Sequence, residues 1–152
     1  MKLALASHQK VENFFREYFA NKELCLSHFH IYSGFWARLI TKTFKLNGIT
    51  LGKHVFIDPA FVTRDAETGL LIAPFKLIVH EATHVLQYQR LGFLGFLFSY
   101  LKEWFAFIRL RQSSDLETRW QAYYAISHET EARDAAEAYT LWNEKSKIKN
   151  AK

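Results

Sequence analysis

Apolar residues recur at Val11, Phe14, Phe15, Tyr18 and Phe19. That is the three-and-four spacing of one helix face, with Ser7 ahead of it as a candidate N-cap. The spacing predicts a second helix over Ile31–Phe44. Between Phe44 and Asp58 the period changes from helical to alternating. Asn47-Gly48 and Gly52 punctuate two short β-branched runs, Ile49–Leu51 and Val55–Ile57, which predict a small antiparallel sheet. Asp58-Pro59 suits an N-cap followed by the first residue of a short helical turn. "DAETG" reads as a loop and "LLI" as one more strand.

Pro74 opens the next helical pattern, which runs to about Leu91. Gly92 and Gly95 interrupt it before a further helix to about Arg111. In "SSDLETRW" Ser114 and Glu117 are spaced as a capping box, predicting a helix to about Ile126. Ser127 then caps a last helix through "ETEARDAAEAYTLW". No repeat or Pro/Ser-rich linker divides the chain. The expectation is a single α+β domain over 1–152, mostly helical. A small antiparallel sheet precedes a helical half, and about 143–152 form a frayed tail.

Leu91–Leu110, "LGFLGFLFSYLKEWFAFIRL", is long enough to cross a bilayer. Lys102 and Glu103 fall near its middle, where charges are costly in lipid. The expectation is a buried amphipathic helix with Phe98, Leu101, Phe105 and Ile108 turned inward. A helix lying on a membrane surface, or an apolar wall of a substrate site, is the alternative.

Composition narrows the class. Hydrophobic residues make up 49% of the 152-residue chain, enough to build a core. The net charge of +5 is scattered, and no nucleic-acid-binding motif accompanies it. The single cysteine, Cys25, excludes an intrachain disulfide and suits a reducing compartment. The apolar N-terminal start breaks at His8, too early for a secretory signal. A cytoplasmic location is expected, with peripheral membrane association through 91–110 as a variant.

The chemistry concentrates in "LIVHEATHVLQYQ", Leu77 to Gln89. On a helix, His80 and His84 project side by side, at a separation that lets two imidazoles share one zinc ion. Glu81 stands about 100° round the helix from His80. It is placed to take a proton from a zinc-activated water and hand it to a leaving amine. This is the HExxH motif of zinc peptidases. A third protein ligand is required, and "SHETEARDAAEAY" supplies candidates. Glu129 shares a helix face with Ala132 and Arg133, and the small alanine permits close helix approach. Glu131, expected to point roughly the other way, is the alternative, and His128 comes third.

"HEATHVLQYQ" followed by "ETEARDAA" resembles the gluzincin pattern, HExxH plus a glutamate on a later helix. The second segment is similar to the E-x-E-A-D stretch of CAAX-prenyl-protease-like peptidases. The first is closer to small bacterial HExxH domains, including those associated with contractile injection systems. The resemblance covers about Ile72 to Ala138. It implies a minimal zincin-like fold, zinc held by His80, His84 and Glu129, Glu81 as general base and a peptide or protein substrate. The chain departs from the prenyl-protease pattern at Arg133, where an aspartate would orient a ligand histidine. Asp134 or another carboxylate is then needed for that task.

Zincins use a tyrosine or histidine to stabilise the developing oxyanion. Tyr124 and His128 are the candidates here, with Tyr123 beside them and Arg133 as a further cation. The resemblance also implies a substrate-pairing edge strand, for which "HVFI" is the candidate. Cys25, His28 and His30 read as surface residues rather than a second metal site, and His54 as an ordinary strand residue. The competing expectation is a non-catalytic zinc-stabilised module whose 91–110 helix meets a partner or a membrane.

Overall fold

A computed structural model describes residues 5–65, 71–113 and 115–150. Helix α1 (Leu5–Tyr18) buries Val11, Phe14 and Phe15. Ser7 lies inside this helix rather than capping it. Strand β1 (His30–Tyr32) precedes α2 (Phe35–Phe44), so the segment expected to be helical from Ile31 starts as strand. Strands β2 (Gly48–Leu51) and β3 (His54–Ile57) turn tightly at Gly52, whose φ of 61° favours glycine. The three-stranded sheet has the order β1-β3-β2. β3 pairs antiparallel with β2 and parallel with β1, so the sheet is mixed where a purely antiparallel one was expected. The parallel pairing is long-range, and nothing local in "HIY" announces it. "HVFI" is therefore the central strand, and β2 is an edge.

Asp58 accepts a hydrogen bond from the Ala60 N–H and caps a 3-10 turn over Pro59–Phe61. Two short strands, β4 (Thr63–Arg64) and β5 (Leu71–Ile72), pair antiparallel. Leu70 and most of "DAETG" lie outside the described residues.

Helix α3 (Phe75–Arg111) breaks at Gly92, with φ 70° and ψ 168°. The break folds the helix back on itself. On a straight helix His84 and Phe96 would be separated by a rise of roughly 18 Å; their rings lie 6.0 Å apart. Before the break the helix crosses the core, burying Ile78, Val79, Ala82 and Val85. Beyond it only Phe96 is buried. Phe98, Leu101 and Phe105 are exposed and Ile108 is half-buried, so the face expected to turn inward turns out.

Helix α4 (Leu116–Ala125) is capped by Asp115, whose side chain accepts the Thr118 N–H. Ser114, half of the expected capping box, lies outside the described residues. Helix α5 (Ser127–Asn150) runs through most of the stretch expected to fray. Its start is fixed from α3: the Ser127 N–H and hydroxyl both donate to Glu103. Buried Ala132, Ala135 and Ala136 let α5 lie close against α3. One core joins α1, the three-stranded sheet, α3 and α5, and the site forms where α3, α5 and β2 meet.

Candidate metal centre

The first half of α3 carries His80, Glu81 and His84, and the first turn of α5 carries Glu129. His80 Nε2 stands 3.4 Å from Glu129 Oε2, and His84 Nε2 stands 3.5 Å from Glu129 Oε1. One ligand atom from each residue lies within 4.8 Å of the others, and among the described residues this is the only such group able to hold a metal ion. The spacing is long for charge-assisted hydrogen bonds, which fall near 2.7–2.9 Å. It matches two donors on one tetrahedral ion, which bonds of about 2.0–2.1 Å place roughly 3.3 Å apart. Glu129 Oε2 is fully shielded yet accepts no hydrogen bond, an arrangement buried carboxylates avoid unless something else satisfies them. Two imidazoles and a carboxylate with an orphaned oxygen fit a bound cation.

Hydrogen bonding fixes the candidate ligands. Gln87 Nε2 donates to the His128 carbonyl and to Glu131 Oε2, at 2.9 and 2.7 Å. Its Oε1 therefore faces His84 Nδ1, at 2.8 Å. That network assigns the Nδ1 proton to His84 and turns its Nε2 toward Glu129, as a ligand histidine requires. Arg90 in turn holds Glu131 through two bonds of 2.9 and 2.7 Å. Glu131 thus reaches α3 as well, against the expectation that it points away, but as a support for Gln87. Gln87, not a carboxylate, thus faces the second nitrogen of His84, with Glu131 behind it, while Asp134 is exposed. Tyr100, from beyond the kink, donates to Glu129 Oε1 at 3.0 Å.

Electrostatics couple the cluster. Burial alone would lower the His84 pKa; Glu129, then Glu81 and Gln87, outweigh it and hold it at about 9. Burial alone would raise Glu129, yet the two imidazoles and the Tyr123 hydroxyl keep it well below the usual carboxylate range. Glu81 is raised by its burial, opposed by His84, His80 and Thr50. Its Oε2 accepts the Thr50 hydroxyl at 2.7 Å, and its carboxyl lies directly over Gly48.

Two cavities reach the cluster. One of about 620 Å³ is lined by His80, Glu81, Tyr123, Tyr124 and Arg133. The other, about 300 Å³ and more apolar, adds His84 and Glu129 with Phe44, Leu97 and Leu101. Tyr123 borders both. Tyr124 reaches only the larger: its ring is exposed and carries the Arg133 guanidinium 5.0 Å from its centroid. His128 lines neither cavity. It contacts Ser99 and packs against Phe96, so the structure does not bring it to the cluster.

Cys25 is exposed, His28 packs tilted against His8, and His30 lies beside His54, which contacts the Tyr32 hydroxyl. Sequence reasoning missed Gly48, Thr50, Gln87 and Tyr100. Gln87 left a signal, since it falls one turn after His84 on the same face. The others come from distant segments that carry none. No protein-family model, curated protein or solved structure matches the chain.

Proposed function

We propose that the protein is a zinc-dependent peptidase of minimal gluzincin type. The observation that carries this is the convergence of His80, His84 and Glu129 around one point, with Glu81 buried beside them at the wall of both cavities. Bound there, zinc would supply Lewis acidity and lower the pKa of water enough to give a nucleophile near neutral pH. Glu81 takes the proton of the attacking water and returns it to the leaving amine. Its raised pKa suits that exchange. On substrate binding the Tyr123 hydroxyl turns from Glu129 to the oxygen of the scissile carbonyl, and the Arg133 guanidinium at the cleft wall supplies positive charge beside it. Edge strand β2 borders both cavities through Gly48 and offers backbone groups to an extended peptide.

The exposed apolar face of α3 favours a second reading, a zinc-held module without catalysis. Metal analysis and peptide hydrolysis on three proteins separate the two. Wild type and Glu81→Gln should each hold one zinc per chain, and His84→Ala should lose it. Hydrolysis should fall by about 10²–10⁴-fold in Glu81→Gln. Zinc at full occupancy in His84→Ala would remove the proposed site. Zinc without hydrolysis in the wild type would favour the module.

A further inference from the structure

The outer faces of α2 and of the second half of α3 are apolar and uncovered. Trp36, Leu94 and Phe98 expose 71%, 76% and 71% of their surface, and Leu39, Phe44 and Phe105 are exposed beside them. The two helices form one surface, because Phe44 and Leu101 wall the same cavity. A continuous patch of this kind marks an interaction site. Its charge is one-sided. Arg38 and Lys42 lie on α2, Lys45 follows it, and Lys102, Arg109 and Arg111 lie on α3. Among the described residues none of these six joins an ion pair. No acid lies on α2. The acid in the second half of α3, Glu103, is engaged by Ser127.

We infer that this face docks on the surface of an anionic lipid bilayer, in the headgroup layer and without crossing it. Large aromatic and aliphatic side chains flanked by lysines and arginines outside any ion pair are the composition of an interfacial helix. Lipid phosphates satisfy the cations, and the acyl boundary takes up the apolar stripe. A second copy of the chain fits less well, since a two-fold contact sets like patch on like patch and brings cation against cation. Helix α3 is long and apolar enough to span by length and composition. Crossing would nonetheless strip Glu103 from Ser127 and Phe96 from its packing on Tyr88. The 300 Å³ cavity lies between the docking helices, so docking sets the metal cluster at the lipid surface. The docking itself does not depend on the metal.

The test is sedimentation of the purified full chain with vesicles of phosphatidylcholine alone and of phosphatidylcholine mixed with phosphatidylglycerol. Tryptophan quenching by acyl-brominated lipid accompanies it. The expected result is binding to the anionic vesicles, reversed by high salt, with quenching reduced in Trp36→Phe. Leu94→Glu combined with Phe98→Glu should abolish binding at unchanged helix content. Lys42→Ala with Lys102→Ala, which leaves the apolar face intact, should weaken it by roughly an order of magnitude or more. Failure to bind anionic vesicles would overturn the proposal, as would binding that resists alkaline washing. A dimer broken by Phe98→Glu, without vesicle binding, would assign the face to a protein partner instead.

Discussion

Gly48 and Thr50 fix Glu81 from outside its own helix. A Cβ at residue 48 would stand 2.3 Å from Glu81 Oε1 and 2.8 Å from its Cδ, closer than atoms tolerate, so Gly48→Ala must displace the carboxylate. The expected outcome is a folded protein that keeps its zinc while kcat/KM falls by at least an order of magnitude, as a misplaced proton acceptor predicts. Thr50→Val leaves Glu81 Oε2 buried without its donor, at a cost of about 1–3 kcal/mol, readable as a lowered Tm. At this scale the sequence was informative wherever a member of the candidate site lay on a regular helix. His80, Glu81 and His84 follow from spacing, and Glu129 from sharing a face with an alanine that could pack closely. Gly48 and Thr50 were silent because their partner lies on an element whose approach is set by the tertiary fold.

Among the elements, the break in α3 was legible because glycine interrupts helices, and the 3-10 turn because Asp-Pro suits its start. The direction faced by the second half of α3 was not. Leu94, Phe98, Leu101 and Phe105 form a regular apolar stripe, and periodicity reports that a face is apolar without saying what covers it. Strand β1 was likewise hidden, since its pairing with β3 is parallel and distant. Gly92 occupies a region of φ and ψ open to little besides glycine. Nothing lies within 4 Å of a Cβ placed there, so the penalty for Gly92→Ala is backbone strain alone. Chemical denaturation should show a loss of about 1–3 kcal/mol. Tyr100, which reaches Glu129 from beyond the break, should be displaced with it, and zinc affinity should fall.

For the molecule as a whole, the candidate ligand set joins the core-crossing half of α3 to the start of α5. Metal bound across that junction stabilises the folded state and not the unfolded chain. Removing zinc with a chelator should therefore lower Tm. Restoring free zinc to about a hundred times its Kd should return roughly 2.7 kcal/mol. His84→Ala should show no such rise, and an equal rise in that variant would place the stabilising metal elsewhere. The break at Gly92 has a further effect on size. Unbroken, the 37 residues of α3 would form a rod of roughly 55 Å, whereas a compact chain of 152 residues has a radius of gyration of only about 15 Å. The rod would jut far into solvent and raise the friction the molecule meets as it diffuses. A single glycine of positive φ turns the longest helix back toward its own first half.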